Sequence, residues 1–144
     1  MYRLQLAVLL VPLIACGGDA FAPRPYELQG GATVRIAVPE GPHRPGTLVT
    51  ISVHNGGDRE YVWNPCTRSI ELQTSNGWTP VQEKDRWCTL EGWILTSGGH
   101  TDASTDIPGF VSAGVYRFHY SFSREVGDYY ASDDQVSNPF GVSP

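Results

Sequence analysis

Residues 115–123 read VYRFHYSFS, and this stretch has the clearest strand pattern in the chain. Aromatic side chains occupy every second position, at Tyr116, Phe118, Tyr120 and Phe122. Because successive side chains of a strand point to opposite faces, the four rings share one face and the other face is mainly polar. This alternation predicts a half-buried strand of an antiparallel sheet.

The same alternation recurs through most of the sequence before this strand. The candidates are residues 32–39, 47–55, 59–64, 69–75, 78–82, 85–95 and 103–107, with a closing strand at 136–142. Asn76-Gly77 predicts a hairpin whose type I′ turn is centred on that pair, since both central positions need a positive φ. Residues 124–135 are predicted to form an acidic loop. About seven to eight strands with turn signals between them predict an all-β, two-sheet antiparallel sandwich.

Composition narrows the class of protein. The chain has 144 residues, a formal net charge of −5, 16 glycines and 11 prolines. This length suits one domain with its own core, and the high glycine and proline content fits a chain with many turns. An acidic chain without basic clusters argues against nucleic acid as a partner, because phosphates require clustered positive charge.

The N-terminal residues have the pattern of an export signal. Arg3 precedes an apolar run that is too short to span a bilayer, and the run ends in Leu13-Ile14-Ala15-Cys16. This ending resembles the lipobox of bacterial lipoprotein precursors, which implies that residues 1–15 are removed and that Cys16 carries lipid. The alternatives are an ordinary signal peptide or a buried strand with a chance cysteine.

The lipobox resemblance sets expectations for location and for the residues that follow. Residues 16–30 would form a lipidated, flexible tether that holds a domain of residues 31–144 off the membrane, because Gly and Pro dominate there. The resemblance also implies the cell envelope. Since no Asp follows Cys16, the outer membrane, facing the periplasm or the surface, is the expected destination.

The expected compartment determines how the remaining cysteines are interpreted. With Cys16 assigned to lipid, Cys66 and Cys88 remain, and two thiols in an oxidising compartment most simply form one disulfide. A metal site is the competing interpretation. It is disfavoured because neither cysteine belongs to a CxxC pair.

A second resemblance covers residues 32–143. The run VTISVHNGGDREYVWNPC, the hairpin SNGW, Cys88, SAGVYRFHY and SNPFGV together resemble small immunoglobulin-like domains of bacterial lipoproteins. The resemblance implies that Tyr116 is a tyrosine corner, a tyrosine whose hydroxyl donates to nearby backbone. It also implies that the disulfide ties a connecting segment to its neighbour. The same pattern looks like BsuPI-type proteinase-inhibitor domains, at the level of fold only.

Catalytic motifs are not evident in the sequence. The four histidines show no metal-ligand spacing, and no Gly-x-Ser-x-Gly elbow or phosphate-binding glycine loop occurs, so we expect no enzyme, metal or cofactor. Carboxylates of the 124–135 loop leave a calcium site open as an alternative to a solvated loop. Tyr129 and Tyr130, in that loop, are the candidate contact residues. The four tryptophans are expected mainly in the core, with a sugar-stacking surface as the alternative.

These observations predict a membrane-anchored, non-enzymatic immunoglobulin-like module for binding or envelope structure. Its partners would be the membrane, through lipid on Cys16, and an envelope protein or glycan. The alternatives are a proteinase inhibitor of the BsuPI-like type and a carbohydrate-binding surface module.

Overall fold

The computed structural model describes residues 33–84, 86–124 and 132–144. Within these ranges the chain forms ten strands and a 3-10 helix at Pro65–Thr67. The strands are β1 (Val34–Ala37), β2 (Leu48–Asn55), β3 (Tyr61–Trp63), β4 (Ser69–Thr74), β5 (Gly77–Pro80), β6 (Trp93–Leu95), β7 (His100–Asp106), β8 (Gly114–Ser123), β9 (Ser132–Val136) and β10 (Phe140–Val142). No helix in these ranges is long and apolar enough to cross a membrane.

The strands form two antiparallel sheets, which confirms the predicted immunoglobulin-like sandwich. One sheet has the order β1-β2-β7. The other is built around β8, with β4 and β3 in line along one edge and β9 and β10 in line along the other. The strands β5 and β6 extend it beyond β4 and β3. A parallel bridge between Ile36 and Ser137 joins β1 to the second sheet.

The core lies between the sheets and follows the alternation in β8. All four aromatic side chains of that strand are buried, as the 115–123 pattern predicts. The Trp63 ring from β3 stacks on Phe122, with ring centroids 5.5 Å apart. The Phe118 and Phe140 rings are 4.7 Å apart. Aromatic pairs of this kind contribute beyond the area they bury.

Tyr116 forms the predicted tyrosine corner. Its ring is buried at the start of β8, and its hydroxyl donates to the Ser112 carbonyl oxygen at 2.9 Å. The bond ties the chain that enters β8 to the strand itself. Gly114 lies inside this corner, where an added Cβ would come within 2.9 Å of Leu72 Cδ1.

Several strand bounds differ from those predicted. The hairpin at 69–80 exists, but Thr74 pairs with Gly77, so the turn is centred on Ser75 and Asn76. Gly77 supplies a φ of 109° at the start of β5. Such a one-residue shift is common because hairpins also close with a left-handed glycine after the turn.

Differences also occur in the later part of the chain. The strand expected at 103–107 begins earlier, at His100, and the segment 85–95 contains only β6 within its described part. The prediction of an acidic loop at 124–135 is wrong for its last residues, because β9 covers Ser132–Val136. The strand expected at 136–142 is interrupted around Pro139, which lacks a backbone donor. The described ranges therefore contain ten strands where seven to eight were expected, in part because β9 and β10 stand in place of the single strand predicted at 136–142.

Candidate binding surface

The connection between β5 and β6 exposes large apolar side chains. We call residues 87–92 the disulfide loop. Trp87 is 93% exposed and Leu90 is 96% exposed, and Trp93 and Ile94 follow at the surface. Among the described residues, seven large apolar side chains are exposed, and these four lie within eight consecutive positions. Single exposed apolar residues are ordinary, but a concentration of them marks a candidate contact surface.

A disulfide fastens the first half of this loop. Cys66, in the 3-10 helix between β3 and β4, is bonded to Cys88, and their Cα atoms are 5.5 Å apart. The predicted pairing is thus present in the structure. The bond links two connecting segments and does not join the two sheets, as the resemblance implies. The sequence between the cysteines contains the whole β4–β5 hairpin.

Asn64 fastens the middle of the loop. Its side-chain oxygen accepts from the Cys66 backbone N–H at 2.8 Å, which caps the 3-10 helix. Its amide nitrogen donates to the Thr89 carbonyl oxygen at 2.6 Å. The cap fixes the orientation of the Asn64 amide, because its oxygen is bonded to the 3-10 helix and its nitrogen to the loop.

The second half of the loop is held by the sheet. An added Cβ at Gly92 would come within 2.8 Å of the Val62 side chain, so the backbone here lies directly against β3. Trp93 then pairs with Trp63 in the β3–β6 ladder. The exposed side chain of Leu90 is therefore flanked on both sides by fixed backbone.

A partly buried ion network supports the chain just before the loop. The Arg68 side chain is fully buried and donates to Glu83, to the Thr105 hydroxyl at 2.8 Å and to the Asp106 carbonyl oxygen at 2.5 Å. Arg86 lies 3.0 Å from the Asp106 carboxylate. It also donates through Nε to the Cys66 carbonyl oxygen at 2.7 Å. The two arginines thus connect β7, the β5–β6 connection and the disulfide.

The charges of this network shift the pKa values of their neighbours. Burial alone would raise the pKa of Asp106, but Arg68 and Arg86 outweigh that effect and hold it below the usual 3.8. Burial raises the pKa of Tyr120 to about 12, although the Thr105 hydroxyl and Arg68 act in the opposite direction. Both shifts favour a network that keeps its charge pattern near neutral pH.

A groove of about 650 Å³ lies on another part of the surface, between β1 and the outer face of β8. Its charged walls include Glu71, Arg117 and Asp134. Arg117 is paired with Glu71 at 2.5 Å and lies over the Trp78 ring, 4.4 Å from its centroid. The charges of Arg117 and Glu71 are therefore paired with each other within the protein.

His119 lies between a hydroxyl and a carboxylate, an arrangement that invites comparison with hydrolases. The Ser69 hydroxyl is 3.3 Å from His119 Nδ1, and Asp134 is 3.8 Å from His119 Nε2. The second distance is too long for a hydrogen bond, and Asp134 already accepts from Ser121 at 2.7 Å. The geometry therefore does not align a proton relay.

Metal ligands do not cluster in the described ranges, where no group of three His, Cys, Asp or Glu side chains is placed to hold an ion. Cys16, Tyr129 and Tyr130 lie outside the described residues, as do the signal segment and the tether. Of the remaining predicted site residues, Tyr116 lies on β8 beside Leu72 of β4. The two bridged cysteines lie in the 3-10 helix and in the disulfide loop, so they belong to a different part of the fold.

The sequence does not single out the disulfide loop, because residues 85–95 are predicted to form one or two short strands. The signal is in the run WCTLEGW, where the large apolar residues Trp87, Leu90 and Trp93 recur at every third position. This spacing departs from the period of two that is typical of a half-buried strand. Of the tryptophans expected in the core, Trp63 is buried and Trp78 is half-buried, whereas Trp87 and Trp93 are exposed.

Comparison with known proteins finds only distant structural similarity. No family model and no curated protein matches the chain. Among solved structures, it is similar to the ASH / PapD-like domain 7 of human CEP192, with 13% identity, 99% of this chain and 96% of that chain covered, and a TM-score of 0.39.

Two further structures are similar to the chain. The structural genomics target SoR45 is 18% identical to the chain, with 78% of this chain and 88% of that chain covered and a TM-score of 0.47. The alkylpurine DNA glycosylase AlkC of Pseudomonas fluorescens has 13% identity, with 78% of this chain and 31% of its own covered, and a TM-score of 0.38. The fold itself is the two-sheet, all-β sandwich described above.

Proposed function

We propose that this chain is a membrane-anchored, non-enzymatic binding module of the cell envelope. Lipid on Cys16 holds it at the membrane, with the outer membrane as the expected destination, and the disulfide loop contacts a macromolecular partner. The observation that carries the binding role is the near-complete exposure of Trp87 and Leu90 on backbone fixed by a disulfide and by Asn64. A few residues, tryptophan prominent among them, supply most of the binding energy at an interface, and a rigid backbone reduces the entropy lost on binding.

The anchor predicts covalent lipid on the chain. Cells that express the full chain and are fed labelled palmitate should label it, and Cys16→Ser should remove the label, because the thiol is the only proposed acceptor. The attached lipid changes the mobility of the chain on a gel, and mass spectrometry measures the added mass. A wild-type chain that is exported without label would contradict the anchor.

The binding role predicts that loss of the exposed side chains removes partner capture. Full-length chain in detergent, with Trp87→Ser and Leu90→Ser combined, should lose crosslinking to its envelope partner by at least tenfold. The matched control is Leu48→Ser with Phe110→Ser, since both are also exposed apolar residues but lie outside the loop. Equal loss in the control pair, or no loss in the loop pair, would contradict the role of the loop.

A further inference from the structure

We propose that the outer face of the β1-β2-β7 sheet carries a site for a divalent transition metal ion, Cu(II) in preference to Zn(II), with His54 and His100 as its ligands. Asp102 and Ser52 support the site from the neighbouring positions of the same two strands. The site lies on other strands than those that hold the disulfide loop, so the inference is independent of the proposed binding function.

The register of the β2–β7 ladder brings the two histidines together. His54 lies near the end of β2, His100 is the first residue of β7, and the two are direct cross-strand partners. Both side chains are exposed on the face opposite the core, since the neighbouring Val53 and Asn55 are fully buried. The two histidines are far apart in the sequence, so no ligand spacing is visible before the strands pair.

The hydrogen bonds of the ladder place this pair at the closer of the two antiparallel spacings. The Asn55 N–H donates to the Gly99 carbonyl oxygen at 2.9 Å, so these adjacent residues form a hydrogen-bonded pair. Because pair types alternate along an antiparallel ladder, His54 and His100 form a non-hydrogen-bonded pair, with Cβ atoms about 4.5–5.5 Å apart. Two imidazoles at this spacing can reach one ion, since a metal–nitrogen bond to zinc is about 2.0–2.1 Å long.

The backbone that carries the pair is fixed by a buried amide. Asn55 follows His54, and its side-chain nitrogen donates to the carbonyl oxygens of Arg59 at 2.6 Å and Thr96 at 2.9 Å. These bonds tie the end of β2 to the chain that leads into β7. Ligands on paired strands are positioned more precisely than ligands on loops.

A carboxylate stands beside His100. Asp102 lies two residues further along β7 on the same face, and its Oδ1 is 3.4 Å from His100 Nε2. Ser52, the cross-strand partner of Asp102, donates to the same oxygen at 2.7 Å and so holds the carboxylate in place. The negative charge favours the tautomer of His100 with its proton on Nε2, which leaves Nδ1 as the ligand. A carboxylate in this position also makes the imidazole a more basic ligand.

The ligand type selects the ion. Imidazole nitrogen suits copper, nickel and zinc, whereas calcium and magnesium require oxygen ligands. Among the divalent ions of this group, affinity for a given nitrogen site is greatest for Cu(II). The side chains of His100 and Asp102 are each 55% exposed, so water has access to the coordination positions that the two histidines leave open.

Arg35 is the opposing charge on this face. It is exposed and is the partner of His54 on β1. The Gly56 N–H donates to the Thr33 carbonyl oxygen at 2.7 Å, which makes Arg35 and His54 a hydrogen-bonded pair with the wider Cα spacing of about 5.5 Å. An ion between the two histidines therefore lies on the side of His54 that faces away from Arg35.

The test is titration of the full-length chain in detergent with copper sulfate, followed by calorimetry and by electron paramagnetic resonance, which counts the coordinated nitrogens. The wild-type chain should bind one Cu(II) through two imidazole nitrogens, and more tightly than it binds Zn(II). His54→Gln and His100→Gln should each weaken binding at least tenfold, since loss of a supporting group alone costs about 10–100-fold. Asp102→Asn should weaken binding about tenfold and keep both nitrogens, as a positioning residue does.

The matched controls are His43→Gln and His119→Gln, which replace the other two histidines of the chain and should stay within threefold of the wild-type affinity. Cys16→Ser should bind copper as the wild-type chain does, which excludes its thiol as a ligand. Circular dichroism should show an unchanged fold for every variant. The inference is overturned by a chain that binds no copper, by a spectrum with fewer than two imidazole nitrogens, or by an equal loss of affinity in the control variants, which would mark adventitious binding to surface histidines.

Discussion

Arg68→Ala should lower the free energy of unfolding by about 3–5 kcal/mol, because the Glu83 carboxylate and the Thr105 hydroxyl, both largely buried, lose the guanidinium that they contact. The Arg68 side chain is fully buried, and Glu83, its ion-pair partner, is 15% exposed. The substitution also removes the donors to Thr105 and Asp106 and the guanidinium that lies over Phe118, 5.1 Å from the ring centroid. Removing one partner of a buried pair costs more than the pair itself contributes.

Urea unfolding of the purified chain, followed by tryptophan fluorescence, measures this effect. The matched control is Arg124→Ala, which breaks a 3.0 Å pair with Asp133 in which the two side chains are 49% and 33% exposed. Exposed pairs of this kind contribute about 0–1 kcal/mol. A loss below about 1.5 kcal/mol for Arg68→Ala, or an equal loss for the control, would show that the network does not stabilise the fold.

The pH dependence of stability gives this prediction a second signature. Because the pKa of Asp106 in the folded protein is held below 3.8, the folded state binds fewer protons there than the unfolded state. The contribution of Asp106 is therefore complete above pH 3.8 and is lost as the pH falls through the folded value. Arg68→Ala should flatten this part of the stability curve. An unchanged slope in acid would contradict the coupling between Arg68 and Asp106.

The sequence predicts β8 and the sandwich well because their signal is local. Alternation in 115–123 identifies both the strand and its buried face, and the structure confirms each aromatic position. The Arg68 network carries no such signal. It joins Arg68 to Glu83 and Asp106, which are separated in sequence and meet only once the β4–β5 hairpin and β7 are in place. A periodic pattern predicts one strand and its buried face. It does not predict which side chains of distant segments become neighbours.

The disulfide loop shows a different limit of sequence patterns. The pairing of Cys66 with Cys88 follows from counting thiols, yet the exposure of the segment beside Cys88 does not. Exposure of Leu90 depends on which face of the chain packs on β3, and that choice is made by Gly92 and by the ladder from Trp93. The Asn64 hydrogen bond likewise depends on a cap that only the folded 3-10 helix positions.

Removal of the disulfide is the second prediction with a large expected effect. Cys66→Ala combined with Cys88→Ala should lower the free energy of unfolding by about 3 kcal/mol, because the bridge closes a loop over a sequence separation of 22. Most of this loss comes from the greater freedom of the unfolded chain, so the folded sandwich itself should persist. Urea unfolding measures the loss, and far-ultraviolet circular dichroism should show unchanged strand content. A double variant as stable as the wild-type chain would contradict the prediction.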